Sequence, residues 1–474
     1  MRTPTPAVPA ASRLDRRTAT HAAIAVAVYL GLLLAPLPAN LPDQGQRVLA
    51  VVGLAVVLWI TELIPNAVTG LLAVVLLVLT GATKDINTAL SGFASPTSYF
   101  LIGILGLGLG VTRSGLAERL ARWVTAWAKG SPRRLYWQML LSYPPMTLIL
   151  PSATTRGAIQ IPVYDRVLDQ WGVPDNHPFS KAVTQSLGSL NRLASTALLT
   201  GGTSPVVAAA LLGNIGWGRW FLLLAVPFYA IMIIGAVGLF LWYRKGFRVT
   251  PARTVVADAT PWTAAELRAG AIALLTAGLW FTDGLHHLHP SIPALLALTL
   301  LLLPKVGVLT WSEFERGMNW STFVTLATSL SLANAMVDAG VASWMADGIK
   351  VVAGPVAASP LGTLAALMLA CLGIRLFVPS IVGYLAFVIP VAVSLALALG
   401  YNPLPFGLAV LIMGDSVVFY PAAGTSGVLV YAKGNVSGAE VFRLALLMAV
   451  MAFVVVLLIA APYWAAIGEP LRLG

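Results

Sequence analysis

Residues 151–163 read PSATTRGAIQIPV and residues 379–391 read PSIVGYLAFVIPV. In both, Pro-Ser interrupts an apolar region and a second proline follows ten residues after the serine, as Ile161-Pro162-Val163 and as Ile389-Pro390-Val391. Further along, Gly202-Thr203-Ser204-Pro205-Val206 in the first half is matched by Gly424-Thr425-Ser426-Gly427-Val428 in the second. Two motifs in the same order at comparable separation make an internal repeat. The number of apolar spans between the copies is odd, so the two units enter the bilayer from opposite sides. Inverted-topology repeats with broken helices are an architecture of secondary transporters.

Each motif has a chemical reading. Pro-Ser breaks a helix and leaves the next one with free backbone N–H groups, and these join the positive end of the dipole as an anion site. Gly-Thr-Ser unwinds a helix and exposes carbonyls and hydroxyls that suit a cation. Such backbone survives at membrane depth only when buried in protein or lining a wet cavity. The two repeats therefore predict one central site from Ser152, Thr154, Thr203, Ser380 and Thr425. Gly202, Ser204, Gly424 and Ser426 are candidates beside a coupling ion.

Outward from these stretches, the composition agrees. The 474 residues are 58% hydrophobic and 10% charged, with a mean hydropathy of +0.85. Soluble domains carry about 25% charged residues, so a water-soluble enzyme and a nucleic-acid binder are excluded. The net charge of +11 belongs in cytoplasmic loops, where Lys and Arg set orientation. Candidate spans fall near 22–36, 48–64, 67–81, 98–111, 220–243, 269–281, 292–304, 321–337 and 441–467, with broken regions over 136–212 and 361–432. Eleven spans plus two re-entrant hairpins are expected. Arg2, Arg13, Arg16 and Arg17 precede the first apolar run, which reads as an uncleaved helix with its N-terminus in the cytoplasm. Six Lys and Arg between Arg113 and Arg134 then fall inside, and 116–129 reads as an amphipathic helix on the membrane surface. The lone Cys371 permits no disulfide framework. His286, His287 and His289 read as a solvated loop.

Ionisable residues inside a membrane are costly and face a cavity or a partner. Arg156 follows the first Pro-Ser closely, where a cation opposes the helix dipole, and it is read as a direct contact to a substrate carboxylate or sulfonate. Arg192 is a candidate to stand in for a sodium ion's charge, whereas Arg375 is expected to snorkel. Asp415 is the deep carboxylate, a proton carrier or the partner of an arginine. Lys181 reads as surface and Glu62 as a structural hydrogen bond.

Further motifs carry a resemblance. Trp59-Ile60-Thr61-Glu62-Leu63-Ile64-Pro65, then Leu90-Ser91-Gly92-Phe93-Ala94-Ser95-Pro96, then Ser114-Gly115-Leu116-Ala117 resemble the divalent anion/sodium symporter (DASS) family of the ion transporter superfamily, from about Gln46 to the C-terminus. The resemblance implies an all-α polytopic membrane protein with two re-entrant helical hairpins, broken helices, a homodimer and elevator-type movement. It also implies a Ser-Asn-Thr triplet at each hairpin tip that binds substrate, with sodium beside it. Carried over, the first tip reads Ser152-Ala153-Thr154 and the second Ser380-Ile381-Val382. Both lack the asparagine and the second lacks the threonine as well. The helix breaks show Ser204-Pro205-Val206 and Ser426-Gly427-Val428 instead of the family's Pro-Pro-Asn.

These readings divide the chain into a cytoplasmic N-terminus with the first helix (1–45) and two inverted repeats (46–258 and 259–474). The hairpins are expected near 135–170 and 360–398, the broken helices near 180–213 and 404–432. The expected function is secondary-active transport, not catalysis, of small anions: di-anionic carboxylates or sulfate- and sulfonate-like substrates, across the inner or plasma membrane. No cofactor is expected, and sodium ions or protons are the candidate coupling ions. A sodium-independent exchanger, a proton-coupled carrier, and a cation/proton antiporter using Asp415 remain alternatives.

Overall fold

The computed structural model describes residues 16–36, 40–250, 260–420, 425–432 and 434–473. Gly424 lies outside the described residues, as do the side chains of Thr425 and Ser426. After a first helix, Arg16–Leu34, the same series of elements occurs twice. The first series is Asp43–Thr61, Asn66–Leu79, a single turn Ile86–Ala89, the pair Pro96–Arg113 and Leu116–Ala126, and a hairpin with arms Pro132–Ile149 and Ala153–Gln170. A broken helix follows, Pro178–Gln185 running through a π-turn into Asn191–Thr196 and resuming at Thr203–Leu211, and then the long helix Trp217–Trp242. The second series is Ala264–Phe281, Ser291–Leu302, the short Trp311–Gly317, the pair Trp320–Asp338 and Val341–Ala353, and a hairpin with arms Pro360–Phe377 and Ile381–Ala398. Its broken helix is Pro403–Ser416 and Thr425–Tyr431, followed by Gly438–Val455, which continues through a π-turn to Ala461–Ala466.

Local sequence explains the joints. Pro151 and Pro379 end each incoming arm, and the serine after each caps the outgoing one. The Thr155 N–H donates to Ser152 Oγ at 3.2 Å and the Gly383 N–H to Ser380 Oγ at 3.3 Å. Each bent pair turns at a glycine with positive φ, Gly115 at 84° and Gly340 at 73°, giving bends of 68° and 66°. Only glycine enters that region without strain.

Among the described residues, seven helices are long and apolar enough to cross a membrane, or up to nine if each bent pair counts as one span. The expected eleven spans are thus not all met by length. Asn66–Leu79, Ser291–Leu302 and Pro403–Ser416 are apolar but too short alone, since a bilayer core needs about 20 helical residues. Gly103, Gly106 and Gly110 form a small-residue stripe against Ala294, Leu298 and Leu301, and at Gly103 the Ala294 backbone leaves no room for a Cβ, the device by which membrane helices approach closely.

The helix expected to lie amphipathically over 116–129 forms over Leu116–Ala126. Its basic residues do not all face outward. Arg119 is buried, paired with Glu266 at 2.7 Å, donating to the carbonyls of Thr260 and Pro261 and lying over the Trp262 ring. The half-exposed Trp123 and Trp127 take the outer face instead.

The two series interlock. The second arm of the first hairpin packs on Thr425–Tyr431 of the second broken helix, and the second arm of the second hairpin packs on Thr203–Leu211 of the first. This crossed arrangement brings both tips to one place.

Candidate functional site

A cavity of about 450 Å³ lies where the tips and the helix breaks meet. Ser152, Ala153 and Thr154 of the first tip line it, with Ser380, Ile381 and Val382 of the second. Gly202, Thr203 and Ser204 of the first helix break, Arg192 and Asp415 complete the expected set found there. Ala153, Thr203 and Ile381 begin helices at the wall, so three positive dipole ends face this volume from the tips and the first break. The helix that starts at Thr203 has no side-chain cap, which leaves its first N–H groups open to a ligand.

Sequence reasoning missed a second wall. Asn319, Ser321, Thr322 and Thr325 line the cavity from the start of Trp320–Asp338, with Asn66 and Glu62 from the joint between Asp43–Thr61 and Asn66–Leu79. The available signal was Asn319 with Ser321, Thr322 and Thr325 at the head of an apolar helix, where Asn319 Oδ1 accepts the Thr322 N–H at 3.1 Å as an N-cap. Glu62, read as a structural hydrogen-bonding group, is exposed, sits at φ 48° and makes no hydrogen bond among the described residues.

Arg156 does not line the cavity, so the expectation of direct substrate contact is not met by this geometry. Its side chain is fully buried and turns back toward the end of the incoming hairpin arm. Nη1 donates to the Leu150 carbonyl at 2.7 Å, Nε to Asn191 Oδ1 at 2.9 Å and Nη2 to the Asn191 carbonyl at 3.1 Å, with Ser195 Oγ as a further acceptor. The physical reason is the dipole: the arm's carbonyl end is negative and its last carbonyls have no intrahelical partner. Asn191 closes the unit by donating Nδ2 to the Ala153 carbonyl at 3.0 Å.

Arg375 does not snorkel. It is 1% exposed, and Nε donates to the Gly414 carbonyl at 2.9 Å while Nη1 reaches the carbonyls of Val378 and Pro379. Arg192 crosses between the halves, its Nη2 donating to the carbonyls of Asp415 at 2.6 Å and Val417 at 3.3 Å. Two guanidiniums therefore cap the carbonyl end of Pro403–Ser416, where a half-helix stops inside the protein. Asp415 Oδ1 stands 3.8 Å from Arg192 Nε, and its Oδ2 accepts from the Thr196 hydroxyl. Lys181, expected at the surface, makes a partly buried pair with Glu440 at 2.8 Å. His286 bonds the Leu279 carbonyl of the preceding helix, and His289 bonds Ser291.

The site is thus a polar cavity between two hairpin tips, whose neighbouring carbonyl clusters are occupied by fixed guanidiniums. Residues 16–469 match the family model described as the sodium:sulfate symporter transmembrane region. The chain belongs to that family. A citrate/succinate antiporter of Escherichia coli K12 is 25% identical over 93% of this chain and 96% of its own length. Dicarboxylate transporter 2 of Spinacia oleracea, chloroplastic, is 24% identical over 94% and 82%. A protein of Cupriavidus necator named only as a membrane protein is 24% identical over 94% and 92%. Among solved structures, Neisseria gonorrhoeae MtrF aligns with a TM-score of 0.56 at 14% identity over 98% of both chains. That last likeness shows the fold alone. The family and its named relatives are transporters, so this divalent anion/sodium symporter family member is a multi-pass membrane transporter and not an enzyme.

Proposed function

We propose that the protein exchanges small di-anions, dicarboxylates first, across the membrane without sodium, by an elevator movement that carries the shared cavity from one face to the other. The observation that carries this reading is the meeting of both hairpin tips and three helix N-termini at one cavity. N–H groups and hydroxyls there suit carboxylate oxygens. The names of the relatives, citrate/succinate antiporter among them, support both the substrate class and the exchange mode.

Sodium independence rests on the arginines. A sodium site in such a place would use backbone carbonyls beside the tips and breaks. Those of Leu150 and Asn191 take Arg156, those of Val378, Pro379 and Gly414 take Arg375, and those of Asp415 and Val417 take Arg192. A tethered guanidinium supplies the positive charge permanently. The cation/proton antiporter alternative is disfavoured because Asp415 faces Arg192. The reading includes a homodimer in the inner membrane with a cytoplasmic N-terminus.

Counterflow in proteoliposomes tests it. Labelled succinate should accumulate only when vesicles are preloaded with an unlabelled di-acid. Equal uptake into empty vesicles would refute exchange, and no uptake of any di-acid, sulfonate or phosphonate would refute the anion-carrier reading.

A further inference from the structure

Among the described residues the cavity contains one ion pair, and each half of the chain contributes one member. Arg192 comes from the first broken helix and Asp415 from the second, and their side chains are 13% and 1% exposed. The pair is in contact without being bonded. Arg192 Nε and Asp415 Oδ1 stand 3.8 Å apart, and both atoms are buried with no hydrogen-bond partner. Arg192 is held by Nη2 on two carbonyls, while Nη1 makes no hydrogen bond among the described residues. A buried guanidinium and carboxylate in contact gain most when hydrogen-bonded, and an unmade bond costs the desolvation of each group. This pair is therefore poised to change partners.

We infer that Arg192 is the receptor for one carboxylate of the substrate and that Asp415 is the built-in counterion which that carboxylate displaces. This rests on the anion-carrier reading above. An incoming carboxylate that accepts from Nη1 of Arg192 makes a hydrogen bond that Asp415 does not. Asp415 keeps the Thr196 hydroxyl and stays beside Arg375, whose Nη2 is buried without a partner and whose Nε holds the carbonyl of the preceding residue, Gly414. The second carboxylate of the substrate then falls to the N–H groups and serines of the two tips.

The test measures succinate binding to the purified full-length chain by calorimetry, with four proteins beside the wild type. Arg192→Gln should weaken binding at least 30-fold. Asp415→Asn removes the competitor and should tighten binding at least fivefold, whereas Asp415→Glu brings the carboxylate nearer to Arg192 and should weaken it at least fivefold. The double variant Arg192→Gln/Asp415→Asn should bind as weakly as Arg192→Gln alone. A merely structural Asp415 would lose affinity in both its variants, and that result overturns the inference. So does tightening by Asp415→Asn that persists without Arg192. If Asp415→Asn does not fold, the Asp415→Glu and Arg192→Gln arms decide, and unchanged affinity in either overturns it. A wild-type chain that binds succinate while these variants behave alike leaves the carrier reading standing; one that binds no di-anion overturns both.

Discussion

The two hairpins solve one problem from opposite sides of their tips. In the first, the arginine follows the Pro-Ser break and reaches back to Leu150, tying the tip to Asn191 and Ser195 of the first broken helix. In the second, the arginine precedes the break and reaches forward to Val378 and Pro379, tying the tip to Gly414 of the second broken helix. Each guanidinium bridges a hairpin's last carbonyls to the broken helix of its own half. The job is repeated although the residue position is not. What the fold requires is a positive group at the carbonyl end of an arm that stops inside the membrane; which neighbouring position supplies it is free to differ.

The sharpest way to break this comparison is to remove the bridges. Arg156→Met takes the donor from Leu150 O, Asn191 Oδ1 and Ser195 Oγ and should cost roughly 3 kcal/mol or more of stability, read as a fall in the unfolding midpoint in mild detergent. Arg156→Lys should recover little, because a single ammonium cannot span the fork. Arg375→Met should cost less, about 2 kcal/mol, because Arg375 bonds only carbonyls and its Nη2 is already unpartnered. Equal stability of either variant and the wild type would break the equivalence of the bridges.

A smaller effect sharpens it. Ser152 and Ser380 cap the outgoing arms in the same way, so Ser152→Ala and Ser380→Ala should each cost about 1 kcal/mol, and the two losses should match within error. A tenfold difference between them in succinate affinity would show that one serine touches the substrate and its counterpart only caps a helix.

The hairpins and breaks were legible because proline in an apolar run leaves few options, and because the run occurs twice. The bent pairs could be read at one end only: Gly115 stood within a quoted motif, whereas Gly340 had no such marker. The arginines misled for a physical reason. A long side chain can turn toward either pole of a nearby helix, and sequence distance from a tip does not say which. Arg156 was read against the positive end of the outgoing arm, yet its length lets it reach the negative end of the incoming one. Arg375 was read as snorkelling because its arm is apolar throughout, and nothing in the arm itself shows that Gly414 supplies a buried acceptor from another element. Asn319, Ser321, Thr322 and Thr325 were missed because a capped helix start inside the protein resembles one in a loop. Arg192 and Asp415 were seen separately; that they meet is a property of packing between halves.

The central claim is that fixed guanidiniums take the place of a coupling cation beside an anion cavity shared by both tips. Its most direct test is succinate exchange in proteoliposomes with sodium replaced by choline on both sides at constant pH. The account predicts an unchanged exchange rate, within about twofold. Exchange that stops in choline and returns with millimolar sodium would contradict it, because an ion would then be needed where Arg156, Arg192 and Arg375 already supply the charge.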